Sequence, residues 1–381
     1  MSRGQWAPAG KLPWARNLFG SVSSAVRLAD GRVMIAGGSD DRLTAQDGAA
    51  LFDPRVGAWT GAAPLREARG MHSTTVLADG RVLVVGGCGG PVSYPARALD
   101  SAEVYDPVER SWSDAGRMGQ ARCGHSATRL PDGRVLVAGG TATRSPDSER
   151  SLTSAEVFDP VSGRWTPTGP MSDARSFHPA VALTGGGVLV AGGWAATGRN
   201  WRGGVGLAYC ERYDPATGRW TPTGDFVEAR AGHRLTALAD GTVLATGGGD
   251  PDGGTQGRLD PYSRATTERY DPATGAWSRE ADMPRGRSLH HAVRLPTGEV
   301  LVMGGTNDIF GEAGYRSAAR YDPRFGTWSE WPGMAVGRIS FAATLLADGR
   351  VLVAGGAVRT GPATSSASPF QLTDTSELFT A

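Results

Sequence analysis

The chain has 381 residues, with 39 basic and 38 acidic side chains and a formal net charge of +1. This balance excludes a function that depends on a strong overall field, such as sequence-independent coating of nucleic acid, so we expect no nucleic-acid partner. Glycine is unusually frequent, but 56 Gly and 24 Pro stay below the content typical of low-complexity disorder, so we expect the glycines inside a fold.

The N-terminus and the cysteines indicate where the protein resides. The first twenty residues lack the apolar run of a secretory signal, and no stretch approaches the roughly 20 apolar residues that span a bilayer. The cysteines are few and odd in number, Cys88, Cys123 and Cys210, which does not indicate a disulfide framework. We therefore expect a cytoplasmic protein, monomeric and without a membrane partner.

A unit of about 50 residues repeats along the chain. Each unit begins with two apolar strands joined by a tight turn, as in Ala78-Asp79-Gly80-Arg81, and Asp-Gly between apolar runs predicts a β-hairpin. A glycine doublet closes the second strand in seven places: Gly37-Gly38, Gly86-Gly87, Gly139-Gly140, Gly192-Gly193, Gly247-Gly248, Gly304-Gly305 and Gly355-Gly356.

The second half of the unit is a strand ending in aromatic-Asp-Pro, such as Tyr105-Asp106-Pro107, then a turn and a strand that carries a tryptophan. The C-terminal unit stops before the turn, whereas Trp6 stands near the N-terminus with no preceding strands. The two ends therefore complete one unit between them. We expect the seven tryptophans of this position to pack in the core: Trp6, Trp59, Trp112, Trp165, Trp220, Trp277 and Trp328.

Seven units of four antiparallel strands predict an all-β, seven-bladed β-propeller. We predict one domain over residues 1–381, with the seventh blade formed by about 336–381 and closed by about 4–9. The Gly-Gly, aromatic-Asp-Pro and Trp pattern resembles kelch repeats. This resemblance implies the propeller fold but no single function, since kelch-like propellers include both enzymes and binding scaffolds.

We label the strands of a blade A to D from the inside out. Both tight turns then lie on one face, here called the turn face, and the longer B–C loops and D–A crossovers lie on the other, the loop face. Variable loops on a rigid scaffold often bind ligands. The candidate ligand-binding residues on the loop face are aromatic or arginine side chains: Trp194, Arg199, Trp201, Arg202, Tyr262, Arg287, Phe310, Tyr315 and Arg316.

Five histidines share one repeat position at the start of strand A: His72, His125, His178, His233 and His290. Two roles remain open for them. They could be structural side chains between blades, or they could bind Cu, Fe or Zn at the channel mouth, most plausibly near Cys88 and Cys123. Resemblance to galactose-oxidase-like copper enzymes implies ligand histidines near this position, but the tyrosine ligands and Tyr-Cys link of those enzymes have no counterpart here.

An arginine stands three residues before each histidine, and Arg338 does so in blade 7. In kelch-like ubiquitin-ligase adaptors, similarly placed arginines grip acidic peptides. The alternative is an ion pair with a strand C glutamate of the same blade, as Arg122 with Glu156. Blade 1 is expected to lack both partners, having Gly20 and Ala50. Arg287 faces Ala319 instead of a glutamate, so we expect it to be available to a ligand.

Three functions are consistent with these features. The first is a propeller that binds a small molecule or peptide in a central pocket on the loop face. The second is a metal-dependent enzyme, an oxidoreductase by resemblance, that uses the histidine ring. The third is a protein-interaction scaffold. No Ser-His-Asp order, phosphate-binding glycine loop or Cys-x-x-Cys pair favours another activity.

Overall fold

The computed structural model describes residues 4–18, 25–90, 97–143, 149–196, 204–249, 263–307, 314–360 and 370–381. Within these ranges the chain forms strands joined by turns and loops. No helix in this part of the chain is long and apolar enough to cross a membrane.

Seven four-stranded antiparallel sheets form the blades of a β-propeller, as the repeat predicted. In blades 1 to 3, strands A to D are Val26–Arg27, Val33–Ala36, Ala49–Asp53 and Ala58–Ala62; Ser73–Val76, Val82–Val85, Ser101–Asp106 and Ser111–Arg117; and Ser126–Arg129, Val135–Ala138, Ala155–Asp159 and Arg164–Thr168. In blades 4 to 6 they are Ala180–Ala182, Val188–Ala191, Cys210–Asp214 and Arg219–Pro222; Arg234–Ala237, Val243–Thr246, Thr267–Asp271 and Ala276–Arg279; and His291–Arg294, Val300–Met303, Ala318–Asp322 and Thr327–Trp331.

The seventh blade joins the two ends of the chain. Its strands are Ala342–Leu345, Val351–Ala354, Thr375–Thr380 and the N-terminal Gln5–Lys11. Trp6 lies opposite Phe379 in this pairing, and the register shifts between Pro8 and Lys11. The predicted closure of the last blade by the N-terminal strand is confirmed.

Strand B is the most buried strand of each blade. All four residues of Val82–Val85 are inaccessible to solvent, and the equivalent strands of the other blades are buried throughout. A strand that is apolar on both faces is what a central position between two neighbouring blades requires, since both faces pack.

The repeat tryptophans connect neighbouring blades. Each packs against the aromatic residue of the Asp-Pro strand in its own blade, as Trp112 does against Tyr105 with ring centroids 5.1 Å apart. The indole N–H usually reaches the preceding blade: that of Trp112 donates to the Ala63 carbonyl at 2.7 Å. The predicted core role of these tryptophans is therefore confirmed, with a hydrogen bond that the repeat did not indicate.

The loop face carries four short hairpins that the sequence analysis did not predict. They extend the B–C loops of blades 2, 3, 4 and 7 and pair Cys88–Gly89 with Arg97–Ala98, Thr141–Thr143 with Glu149–Ser151, Trp194–Ala196 with Gly204–Gly206, and Ala357–Thr360 with Phe370–Leu372. The turn face, by contrast, consists of tight turns alone.

Candidate functional site

The five ring histidines lie between blades. Each is at most 2% exposed. A Cβ added to Gly139, the first glycine of the blade 3 doublet, would lie 2.7 Å from Cε1 of His178 in blade 4, and the second glycine, Gly140, touches the side chain of His125 in its own blade. The doublet is therefore glycine because a histidine from each of two blades packs against it, and both of its residues have positive φ.

Hydroxyl groups of the preceding blade bond several of these histidines. Nε2 of His125 lies 2.9 Å from Ser73 Oγ, Nε2 of His178 lies 3.0 Å from Ser126 Oγ, and Nε2 of His290 lies 2.9 Å from Thr246 Oγ1. Burial lowers the pKa of His178 to about 3. The rings are thus neutral at physiological pH and serve as blade-to-blade contacts.

The metal role of the histidines stays a prediction, and the described residues offer it little support. No three His, Cys, Asp or Glu side chains of these residues are grouped as a metal site would require. Cys88 and Cys123 are buried together with Ala45 in a small apolar cluster.

The arginine three residues before the ring position is buried in blades 2 to 7, and in five of these blades it pairs with a glutamate. Its Nη1 donates to the carbonyl of the first doublet glycine, as Arg122 does to Gly139 at 2.7 Å. Its Nη2 lies 3.0 Å from a Glu156 carboxylate oxygen. The predicted pairing within a blade is confirmed in five blades: Arg69 with Glu103, Arg122 with Glu156, Arg175 with Glu211, Arg230 with Glu268 and Arg338 with Glu377.

Blade 1 has its own buried arginine, which corrects the expectation that Gly20 takes this place. Nη1 of Arg16 donates to the Gly37 and Gly48 carbonyls, and Asn17 bridges Ser39 as Gly70 bridges Cys88 in blade 2. Val26 lies ten residues after Arg16, whereas its equivalent Thr75 lies six after Arg69. Blade 1 therefore has four additional residues before strand A. For this reason the comparison of repeats placed Gly20 instead of Arg16 at the arginine position.

Two blades bury an arginine without a carboxylate partner. Arg287 is 1% exposed and donates to the Gly304 carbonyl, the Ser317 carbonyl and Ser317 Oγ at 2.8 to 3.1 Å. Burial lowers the pKa of Arg287, and of Arg16, to about 10. The absence of a glutamate beside Arg287 is confirmed. Its guanidinium, however, is bonded to its own blade and covered, so its predicted ligand-binding role remains a prediction.

The structure describes four of the nine predicted ligand-binding residues. Trp194 is half-buried at the start of a loop-face hairpin, and its backbone pairs with Ser176. Tyr315 is buried, with the Arg285 guanidinium 4.2 Å and that of Arg287 5.8 Å from its ring centroid. Arg316 is exposed and donates to the Met334 carbonyl. The other five lie outside the described residues: Arg199, Trp201, Arg202, Tyr262 and Phe310.

A ring of left-handed residues encircles the channel mouth on the loop face. These residues immediately precede the ring position. Some of them bond one another across blades: Phe177 N–H donates to the Gly124 carbonyl at 2.7 Å, and Gly124 N–H donates to Met71. Of the six blades in which the structure describes this position, two use glycine. The other four use side chains at φ of 51° to 54°: Met71, Phe177, Leu289 and Ser340. Sequence reasoning missed this ring, although these residues were visible as neighbours of the histidines.

An exposed apolar pair lies further out on the loop face, between blades 4 and 5. Tyr209 is 54% and Val227 65% exposed. Their segments run side by side, since Phe226 N–H donates to the Ala208 carbonyl at 3.0 Å. Tyr209 stands where other blades have a small hydroxyl residue that bonds the buried arginine, such as Ser154 beside Arg122. It is therefore a departure from the repeat.

Two clefts lie on the turn face. One of about 770 Å³ lies between blades 3 and 4 and is lined by Arg134, Gly186, Tyr213 and Pro215, among others. The other, of about 510 Å³, is lined by Arg129, Asp132 and Ala182 at the end of strand A. The expectation that pockets belong to the loop face therefore does not extend to these two clefts.

The Kelch motif profile matches residues 69–119 and 121–172, which are blades 2 and 3. These matches and the relatives below support a kelch-repeat family for the chain. The chain is 31% identical to human Kelch-like protein 34 over 197 residues, 52% of this chain and 28% of that protein. It is 31% identical to Kelch-like protein 25 of Xenopus tropicalis over 230 residues, 59% and 35% of the two chains.

A third relative is alpha-scruin of Limulus polyphemus, 28% identical over 225 residues, 58% of this chain and 23% of that protein. The chain thus spans about a quarter to a third of the length of these relatives. A solved fungal alcohol oxidase of the AA5 family, in complex with copper, has the same fold: the TM-score is 0.76 at 20% identity, covering all of this chain and 76% of that one.

Proposed function

We propose that this kelch propeller is a protein-interaction module that binds a peptide segment of a partner across its loop face, over the mouth of the central channel. A small apolar molecule would use the same mouth. The kelch repeats and the kelch-like relatives support a protein-interaction scaffold, although each relative matches only part of this chain.

The observation that carries the proposal is the conformation of the mouth residues. A left-handed backbone costs a residue other than glycine roughly 1–2 kcal/mol. Blades 3 and 5 avoid this cost with Gly124 and Gly232, whereas Met71, Phe177 and Leu289 accept it. All three are only half-buried. A strained backbone at residues with partly exposed apolar side chains is typical of a binding surface.

The exposed apolar pair of the loop face supports the same surface. Tyr209 and Val227 lie on adjacent segments, and tyrosine is among the residues that contribute most to protein interfaces. The turn face also exposes apolar residues, such as Val108 and Val161, but each stands alone at the turn tip of its own blade. Contiguous exposed apolar surface favours the loop face.

To test the proposal, peptides are selected from a random library against the wild-type protein, and their binding to wild type and variants is compared. Phe177→Gly and Leu289→Gly introduce the residue that blades 3 and 5 already carry, so relief of backbone strain offsets lost packing and stability should change by less than about 1 kcal/mol. We expect each substitution to weaken binding at least tenfold. Binding is measured by titration calorimetry and folding by thermal unfolding.

Val161→Ser on the turn face is the matched control, since it removes an exposed apolar side chain from the opposite side. It should leave peptide affinity within twofold of wild type. If Val161→Ser abolishes binding while both glycine variants bind normally, the interaction surface lies on the turn face and the proposal is wrong.

A further inference from the structure

The innermost strands of the propeller carry no acidic residue. From the ring position to the residue after strand A, the seven segments 23–28, 72–77, 125–130, 178–183, 233–238, 290–295 and 341–346 contain neither Asp nor Glu. They contain four arginines: Arg27, Arg129, Arg234 and Arg294. Neighbouring A strands contact one another around the central channel. The strands that surround the channel are therefore purely cationic in a chain whose net charge is only +1.

Three of these arginines occupy the same position at the turn-face mouth of the channel. Arg27, Arg129 and Arg294 are the last strand A residues of blades 1, 3 and 6. The other four blades have Val76, Ala182, Ala237 and Leu345 there. All three arginines are exposed, and none makes an ion pair or side-chain hydrogen bond with the residues that the structure describes. Their guanidinium groups are free to bind a ligand.

The acidic residues nearest to this mouth are already neutralised. In four blades the aspartate of the Asp-Gly turn pairs with an arginine two residues later, as Asp132 with Arg134 at 2.7 Å and Asp30 with Arg32 at 2.7 Å. In blade 5, Asp240 pairs with Arg269 instead. The three mouth arginines therefore contribute a positive potential that the adjacent turns do not cancel, and a low-dielectric wall strengthens such a field.

Arg234 adds a fourth positive charge at the loop-face end of strand A in blade 5. Its Nε donates to the His290 carbonyl at 2.7 Å, and its Nη2 lies 3.5 Å from Nε2 of His291. Burial alone lowers the pKa of Arg234 to about 10, with no carboxylate nearby to oppose that shift. Arg129 lines a cleft of about 510 Å³ on the turn face.

We propose that the turn-face mouth of the channel binds a small anion that carries several phosphate groups. Three arginines from blades 1, 3 and 6 surround one opening, and a guanidinium binds phosphate oxygens in a bidentate fork. The neighbouring small residues, Ala78 and Ala182 among them, leave room for the ligand. This site is on the opposite face from the proposed peptide surface and does not depend on it.

Titration calorimetry of the full chain with inorganic tripolyphosphate tests the site, and citrate is the carboxylate comparison. We expect wild type to bind tripolyphosphate at least tenfold more tightly than citrate. The triple variant Arg27→Gln, Arg129→Gln, Arg294→Gln should lose at least tenfold in affinity for tripolyphosphate. Its thermal unfolding should match wild type, because the three side chains are exposed and unpaired.

Arg164→Gln is the matched control, since Arg164 is an exposed arginine that begins strand D at the outer edge of the turn face. It should keep its affinity within twofold. An equal loss in Arg164→Gln would mean that tripolyphosphate responds only to overall charge, and the proposal would be wrong. Unchanged affinity in the triple variant, or equal binding of citrate, would overturn it as well.

Discussion

In blade 6, Pro284 stands where other blades have a backbone N–H that donates to the strand C glutamate, and Ala319 stands in place of that glutamate. In blade 3 that N–H belongs to Gly119 and donates to Glu156 at 2.7 Å, and in blade 2 it belongs to Arg66 and donates to Glu103 at 2.7 Å. Blade 1 repeats the combination of blade 6, with Pro13 and Ala50. Proline and alanine therefore occur together because proline has no N–H to leave unpaired when the glutamate is absent.

This relationship predicts a rescue in blade 3. Glu156→Ala should destabilise the protein by about 3–5 kcal/mol, since it leaves Arg122 buried without its partner and two N–H groups unpaired. Adding Gly119→Pro removes one of those donors, so the double variant should recover about 1–3 kcal/mol. A Cβ at Gly119 would meet only Glu156. Urea denaturation measures all three proteins.

Gly119→Pro alone is the control for this rescue. In the presence of Glu156 it breaks a hydrogen bond and should destabilise. If the proline costs the same stability with and without Glu156, the two positions are not coupled and the explanation for Pro284 fails.

Ring closure predicts that the N-terminal strand supports the whole propeller. Trp6 packs against Phe379 with centroids 5.0 Å apart and donates to the Pro332 carbonyl at 2.7 Å, so it joins blades 7 and 6. Trp6→Ala should cost about 3–5 kcal/mol, and deletion of residues 1–10 should cost more. Thermal unfolding is the measurement.

Trp14→Ala serves as the comparison, because Trp14 is 46% exposed and outside the repeat. Its effect should be much smaller than that of Trp6→Ala. A deletion variant that melts at the wild-type temperature would contradict closure by the N-terminal strand.

The buried histidines predict that stability is lost in mild acid. Burial holds the pKa of His72 and His178 near 3 and that of His233 well below its ordinary value. Because the folded-state pKa lies below the unfolded value of about 6.5, the unfolded chain takes up protons first, and stability falls as pH drops below about 6.5. Each histidine contributes about 1.4 kcal/mol per pH unit in that range.

His233→Phe isolates one such group. Blade 7 carries Phe341 at this position, and blade 4 offers His233 no hydroxyl partner because Pro179 replaces the serine of blades 2 and 3. Between pH 7.5 and 5.5 the variant should lose about 1.4 kcal/mol less than wild type in urea denaturation. The reciprocal Phe341→His should lose more. Identical pH profiles for all three would mean that these rings do not stay neutral.

Metal content of the same samples, prepared without a histidine tag, tests the enzymatic alternative. We expect no stoichiometric Cu, Fe or Zn, because the ring histidines that the structure describes are buried between blades. If wild type contains one equivalent of metal and His233→Phe contains none, the ring histidines bind the metal and this expectation is wrong.

The sequence by itself determined the repeat and therefore the fold. Asp-Gly turns, glycine doublets and repeat tryptophans act locally, and each blade forms the same contacts with its neighbours, so a pattern read in one unit holds for all seven. The pairing of Arg122 with Glu156 and the missing glutamate beside Arg287 could be predicted for the same reason. Blades 1 and 6 carry Ala50 and Ala319 at the strand C position where the other five blades have a glutamate.

Where the spacing of the repeat changes, only the tertiary structure decided which residue takes a given repeat position. Four additional residues in blade 1 concealed Arg16, although an apolar residue four positions earlier, Leu12, matches Met118 before Arg122. The left-handed ring at the loop face and the arginine group at the turn-face mouth each consist of residues that are about 50 or more positions apart in the sequence. Such groupings arise when the ring closes, because closure brings the same position of every blade around one axis, and no local pattern records which side chains then meet.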